Sequence, residues 1–474
     1  MIETQRPAAP ERDMDDIRRR VAGLEAEVPL LGGGQRPYVN LDNAATTPPL
    51  RDVVEALERF LPWYSSIHRG SGFKSALSSQ AYDEAREIVG RFFGADPAAQ
   101  AIIFTKNTTE AVNKAARRIP LSDDDVVIVS LMEHHSNDLP WRAQAQVVHV
   151  GVTGDGGLDM ADVRRKLEQY AGQVKLLAIT GASNVTGALN PIHELAELAH
   201  GYGVPILVDA AQLAPHRAVD MRAPDDPGHI DYLVASAHKM YAPYGAGVLI
   251  GPRATFAEGA PDYSGGGTVE IVTEDDVYWA GPPERDEAGS PNVLGAVAMA
   301  AACRALAEIG MDRLAEHEAE LTRHALEALR SIDGVEIYGD ADPGRAEGRL
   351  GVIPFNVRGL SHYLLAAILS AEYGIGVRNG CFCAHPYVLR LLRISDEEAW
   401  SWRDQVLGGV RAHLPGLVRI SFGCYNTHEE VEWLAHALAN IAAGEIAGDY
   451  EQDPASGSYH ERTFRPALER FFSL

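Results

Sequence analysis

Short apolar runs recur along this chain and end in polar residues. Ala101–Phe104, Val126–Val129, Gln146–Val150, Leu176–Ile179, Pro205–Val208, Tyr232–Ala235 and Gly247–Ile250 have the length and β-branched content of buried strands. Helical periodicity separates several of them, as at Thr109–Arg118 and Ile192–Tyr202. The alternation predicts an α/β domain with a mainly parallel, seven-stranded sheet. Ligands of such sheets bind at the carboxyl ends of the strands. Beyond Pro291 the pattern changes. Two long helices are expected over Val293–Ile309 and Met311–Ser331, then strands at Val352–Val357, Gly374–Val377 and Leu417–Phe422. That order describes a smaller α+β lobe.

The pattern divides the chain into four parts. Residues 1–36 form an extension, with a charged helix from Asp13 to Ala26 and a hinge at Gly32-Gly33-Gly34. Residues 37–292 make the large domain. Residues 293–446 make the small one, with an insertion at 387–416 that carries Trp400 and Trp402. Residues 447–474 are a loop-like tail, and no internal repeat is present.

Charge narrows the range of partners. The 474 residues carry a formal charge of -24. This disfavours nucleic acid and anionic membrane surfaces, both of which need basic patches. No apolar run reaches the length of a membrane span, and Met1–Arg12 lacks a signal-peptide core. Four cysteines are too few for a disulfide scaffold. A cytoplasmic protein with reduced thiols is expected.

The polar residues that end the apolar runs supply the chemistry. One run ends in Asp209-Ala210-Ala211-Gln212 and the next leads into Ser236-Ala237-His238-Lys239. A lysine amine forms a Schiff base with an aldehyde, and a carboxylate keeps a pyridinium nitrogen protonated. Together they point to pyridoxal 5'-phosphate. Thr108 and Thr109 open a helix after a strand, which makes an anion site, although alone they would read as an ordinary helix cap. Ser236 and His238 add contacts for a phosphate. His134 can stack on the pyridine ring or move a proton, while Asn184 and Gln212 can bond the ring hydroxyl.

Arg378-Asn379-Gly380-Cys381-Phe382-Cys383-Ala384-His385 is the second informative segment. A guanidinium fork suits an amino-acid carboxylate. A loop cysteine beside a cation suits a nucleophile. The spacing Cys381-x-Cys383-x-His385 is narrower than that of structural zinc sites, so no metal is expected there. Cys303 and Cys424 read as core residues.

From about Tyr38 to Ala442 the chain resembles the class V aminotransferases of the fold-type I pyridoxal-phosphate enzymes, and within them the cysteine desulfurases and selenocysteine lyases. The resemblance rests on Leu41-Asp42-Asn43-Ala44-Ala45-Thr46-Thr47, His68-Arg69-Gly70, Glu133-His134-His135, Ser183-Asn184-Val185-Thr186-Gly187, Asp209-Ala210-Ala211-Gln212, Ser236-Ala237-His238-Lys239, Gly265-Gly266-Gly267-Thr268 and Tyr425-Asn426-Thr427-His428-Glu429-Glu430. It implies that Lys239 holds the cofactor, Asp209 pairs with its ring nitrogen and His134 stacks on it. Thr108, Thr109, Ser236 and His238 would hold its phosphate. Thr268 would reach the phosphate of a neighbouring subunit in a homodimer. Arg378, Asn43 and His68 would meet the substrate, L-cysteine. Cys383 would take its sulfur as a persulfide for an acceptor protein, leaving alanine.

The chain departs from the family where Cys381-Phe382 precede Cys383, since His-His is common there. Cys381 would then offer a second thiol to resolve the persulfide. A β-lyase on cysteine conjugates, a selenocysteine lyase, an epimerase or an aminotransferase of the same class is the alternative. The β-lyase, the epimerase and the aminotransferase need Lys239 and Asp209 but not Cys383.

Overall fold

The computed structural model describes residues 14–68 and 70–474. The seven apolar runs become β1 (Gln100–Thr105), β2 (Val126–Ser130), β3 (Gln146–Val150), β4 (Val174–Thr180), β5 (Ile206–Asp209), β6 (Tyr232–Ser236) and β7 (Gly247–Pro252). They form one sheet in the order β1-β7-β6-β5-β4-β2-β3. The pairs among β2 to β6 are parallel, and only β7 runs antiparallel to its neighbours.

Helices cover both faces, so the strands read as continuous apolar runs rather than alternating ones. The alternation survives in where the side chains go. Ile103, Val127, Val129, Leu207, Val234 and Leu249 pack in one core under the helix Thr108–Arg118. Their neighbours Ile102, Ile128, Val208, Leu233 and Val248 pack in the other. Full burial of each such side chain contributes roughly 1.5–3 kcal/mol.

The second lobe is a four-stranded antiparallel sheet. It comprises β8 (Val335–Ile337), β9 (Val352–Val357), β10 (Arg378–Gly380) and β11 (Leu417–Ser421), ordered β8-β9-β11-β10. Its core gathers Leu321, Phe355, Leu369, Ile420 and Leu438, and Val39 and Leu41 join it from the far end of the chain. Val39–Asn40 pairs in parallel with Ile375–Gly376. The expected strand over Gly374–Val377 is therefore split. Its first half faces Val39, and Arg378 then begins β10 instead of ending a strand.

The terminal segments differ from expectation. The charged helix spans only Met14–Arg19, and Asp13 lies outside the described residues. Gly32, Gly33 and Gly34 all take positive φ and turn a hairpin between Glu27–Pro29 and Gln35–Pro37. Ile17 and Val21 are buried in the main core, and Arg20 pairs with Asp52 at 2.5 Å. The tail carries a hairpin, Tyr450–Gln452 with Tyr459–Glu461, whose Tyr450 hydroxyl donates to Glu372 at 2.9 Å. Residues 387–416 hold most of the helix His385–Leu391 and all of Asp396–Leu407, the latter started by a Ser395–Glu398 capping box. Among the described residues no single helix is long and apolar enough to cross a membrane.

Candidate active site

A cleft of about 280 Å³ opens at the carboxyl ends of β4, β5 and β6, with the small lobe as its far wall. Asp209 is the last residue of β5, and Lys239 lies one turn beyond β6. The Lys239 Nζ donates to Gln212 Oε1 at 3.0 Å. Burial pushes this ammonium down to about 8, with Asp209 opposing the shift. Burial also raises the Asp209 carboxyl, while the Ala211 amide, 2.9 Å away, favours its charged form.

One end of the cleft is built to hold an anion. Asn107 caps the helix Thr108–Arg118 by accepting from the Glu110 amide at 3.0 Å, so the first-turn amides face the cleft end of the helix. The Thr108 amide donates to Ser236 Oγ at 2.8 Å, and the two hydroxyls lie 2.7 Å apart. Thr109 Oγ1 lies 2.7 Å from Ser136 Oγ. Gly247 permits this arrangement, because a Cβ there would stand 2.7 Å from Asn107 Cα. His238 bonds Thr46 Oγ1 at 3.2 Å, and burial pushes it down to about 4, so it is neutral at pH 7.

His134 lies beside this anion site. Its Nδ1 accepts from the Ser136 amide at 3.1 Å, which puts the ring proton on Nε2. Burial first, then the Lys239 charge, pushes it down to about 3. His134 is thus a neutral ring, suited to stacking rather than to proton storage.

The far wall comes from the Arg378–His385 segment and β11. Phe382 and Cys383 both take left-handed backbone, at φ 52° and 55°. Such strain costs of order 1–3 kcal/mol per residue and persists only where neighbours fix it. Here the His135 amide donates to the Cys383 carbonyl at 2.7 Å, and Asn184 Nδ2 to the Phe382 carbonyl at 2.8 Å. The Cys383 side chain is left exposed. Cys381 is half-buried, its thiol donates to the Pro415 carbonyl at 3.4 Å, and burial pushes it up to about 11.

Two arginines share Asp42. Arg419 is buried and lies 2.9 Å from Asp42 Oδ1, and it donates to the Asn184 carbonyl at 2.8 Å. Arg378 is exposed and lies 3.8 Å from the other carboxylate oxygen. Both line the cleft.

The cleft therefore collects Lys239, Cys383, His134, Thr108, Thr109, Asn184, Asp209, Gln212, Ser236, His238 and Arg378. Three expected residues lie elsewhere. Asn43 is buried, and its amide bonds Ser421, Asn426 and the Tyr425 hydroxyl, which leaves no free group for a substrate. His68 lines a second cleft with Gly266 and Gly267, and Arg69 lies outside the described residues. Thr268 is fully buried and donates to the Gly265 carbonyl at 2.8 Å. Sequence reasoning missed Arg419, Asn107 and Ser136. A lone arginine inside Leu417-Val418-Arg419-Ile420-Ser421 was the available signal.

These residues fit pyridoxal phosphate. The buried Gln212 Nε2 lines the cleft without a hydrogen-bond partner, as a donor to a ring hydroxyl would. The helix terminus fits the phosphate and Asp209 fits the ring nitrogen.

A lysine turn and an aspartate strand end on this seven-stranded sheet, with a small α+β lobe as lid, define the fold-type I pyridoxal-phosphate-dependent transferases. The chain belongs to the class V aminotransferase family, whose model matches residues 39–434. It is 34% identical over 411 residues to a probable cysteine desulfurase of Halalkalibacterium halodurans, covering 85% of this chain and 92% of that one. It is 35% identical over 411 residues to a cysteine desulfurase of Haloferax volcanii, covering 85% and 89%. An apo cysteine desulfurase from Thermococcus onnurineus superposes with a TM-score of 0.75 at 33% identity, over 86% of this chain and 95% of that one. The S-sulfonic acid form of a cysteine desulfurase from Escherichia coli gives 0.73 at 28% identity, over 92% and 100%.

Proposed function

We propose that this protein is a pyridoxal-phosphate-dependent cysteine desulfurase that converts L-cysteine to L-alanine and takes the sulfur on Cys383. The observation that carries the reading is an exposed thiol, Cys383, on the wall of the same cleft as Lys239, Asp209 and two arginines. The cysteine desulfurases among its relatives support it.

Bound in the cleft, the cofactor supplies an electron sink for the pair released at the substrate Cα. The chain supplies the rest. Arg378, exposed at the mouth, binds the substrate carboxylate, and Asp42 steers its guanidinium. Lys239, with its affinity for protons brought to about 8, removes the Cα proton near neutral pH. His134, held neutral by burial, would stack on the bound cofactor. The Cys383 thiolate attacks the substrate sulfur. The new S–S bond forms as the C–S bond breaks, the C–S electron pair passes to Cβ, which takes up the proton given up by the Cys383 thiol, and the Lys239 ammonium returns its proton to Cα to complete alanine. An acceptor protein or a thiol reductant removes the persulfide sulfur.

The reading extends to a homodimer in a cytoplasmic setting. Beside Thr268 an exposed hairpin, Val269–Val272 with Val277–Trp279, presents Ile271 and Tyr278. A second copy would cover them.

Purified enzyme with free L-cysteine and a reductant should release alanine and sulfide in equal amounts. Cys383→Ala should lower sulfide release roughly 10²-fold or more while the cofactor stays bound. Pyruvate and ammonia as products, or full turnover by Cys383→Ala, would overturn the reading.

A further inference from the structure

We propose that His200, His229 and Asp231 form a site for a divalent transition-metal ion of the zinc class, separate from the active-site cleft. His200 ends the helix Ile192–His200, and the loop before β6 carries His229 and Asp231. The three donor atoms all lie within 4.8 Å of one another. His200 Nε2 stands 2.9 Å from one Asp231 oxygen, and His229 Nε2 stands 3.4 Å from the other. All three side chains keep about a fifth of their surface exposed, so an ion can enter.

Backbone carbonyls fix where the ring protons must be. His200 Nδ1 lies 2.8 Å from the Pro227 carbonyl, and His229 Nδ1 lies 2.6 Å from the Asp226 carbonyl. A carbonyl only accepts, so each Nδ1 carries a proton. A neutral ring then presents a bare Nε2 lone pair to the Asp231 carboxylate, which repels it. Protonating one ring relieves one contact. Protonating both puts two like charges on rings stacked with centroids 4.2 Å apart. A shared cation relieves both contacts at once.

The rest of the arrangement is what a metal ligand set needs. Carbonyls holding Nδ1 are the usual outer partners of metal-bound histidines, since they fix the tautomer that ligates through Nε2. The Ile206 amide donates to Asp231 Oδ2 at 2.8 Å and orients the carboxylate in the same way. Two imidazoles and a carboxylate are a borderline N₂O set that suits zinc, cobalt or nickel rather than calcium or magnesium. Bonds of about 2.0–2.2 Å to zinc separate neighbouring ligand atoms by about 3.3 Å. The 2.9 and 3.4 Å spacings are of that order, and because each runs to a different oxygen of Asp231 the carboxylate would present both oxygens to the ion. The rings, tilted by 24°, must rotate apart to bring the ion into both planes.

The site lies at the opposite end of the sheet from the chemistry. Ile206 begins β5 and Asp231 precedes β6, whereas Asp209 and Lys239 lie at or beyond their carboxyl ends. The ion would tie the loop to the helix and stabilise the large domain.

The test is zinc titration of the untagged, chelator-treated full-length enzyme, read by calorimetry and by metal content after dialysis. One high-affinity zinc per chain is expected, with a rise in melting temperature. Outer partners of a ligand alone are worth about 10–100-fold in affinity. His229→Gln and His200→Gln should therefore each weaken binding at least tenfold, and Cys383→Ala should leave it unchanged. Desulfuration rates of the metal-free histidine variants should match the wild type, which also shows that they are folded. Absence of zinc binding, its retention in both histidine variants, or its loss in Cys383→Ala would overturn the site. The last result would assign the zinc to the cleft thiols.

Discussion

At the scale of single residues, the two arginines divide their work by burial. Arg419 is buried and held by Asp42 and Asn184, whereas Arg378 projects from the edge strand with one loose contact. A charge-assisted hydrogen bond is worth about 1.5–3 kcal/mol. Arg378→Ala is therefore expected to raise KM for L-cysteine by about 10–100-fold with a smaller change in kcat. Steady-state kinetics check this, and Arg378→Lys should recover little, because an ammonium cannot make the forked contact. Arg378 was visible in the sequence because it follows an apolar run and precedes a cysteine-bearing loop. Arg419 was not, since an arginine within a short apolar strand reads as a solvent-facing residue until the large domain covers it. The reverse held for Asn43. Its motif suggested a substrate contact, yet its amide bonds entirely within the junction of the two lobes.

At the scale of elements, the apolar runs marked the seven strands to within a residue or two, because a parallel sheet buries both faces. The short hairpins escaped notice. Three-residue strands such as Glu27–Pro29 carry no periodicity to detect. The close approach of β7 to the cap at Asn107 was also invisible, since it links residues far apart in sequence. Gly247→Ala would drive a Cβ into the Asn107 backbone. Overpacking of this kind costs about 1–3 kcal/mol, so the variant should bind pyridoxal phosphate roughly 5–150-fold more weakly, as measured by absorbance titration.

A second element-level contact joins the lobes. Glu318, on the helix Met311–Arg330, meets His216 at 2.8 Å, Arg217 at 2.5 Å and the Gly351 amide at 2.9 Å. Burial pushes its carboxyl up, but these partners outweigh burial and hold it down at about 2. The folded-state value lies below the unfolded one. The stabilisation is thus present above pH of about 4.5 and is lost as pH falls towards 2. It amounts to about 3 kcal/mol. Glu318→Gln should lower Tm at pH 7 and flatten the loss of stability between about pH 4.5 and 2, as followed by thermal melts.

At the scale of the whole molecule, the acidic surface and the exposed hairpin beside Thr268 point in different directions. The charge of -24 opposes self-association at long range. The apolar Ile271 and Tyr278, 63% and 69% exposed, favour it on contact. Analytical ultracentrifugation is expected to give twice the 51.3 kDa of one chain. Salt should strengthen the association, because it screens the repulsion and leaves the apolar contact intact. A monomer at all salt concentrations would remove the homodimer from the proposed function. The sequence showed the glycine-rich turn and its threonine. It did not show that the turn stands apart from its own chain's cleft, since that is a property of the assembled lobes.

The pairing of Val39–Asn40 with Ile375–Gly376 has a consequence for how the protein is made. Val39 and Leu41 leave the ribosome well before the strands and helices beyond residue 350 that complete the core burying them. At about 5–20 residues per second, the emerging segment waits roughly 17–70 s for its partner. The large domain, whose seven strands all lie between Gln100 and Pro252, can close during that interval. The small lobe then has to form around a strand already anchored to a finished neighbour. The much later segment Ile375–Gly376 thus seals Val39–Asn40.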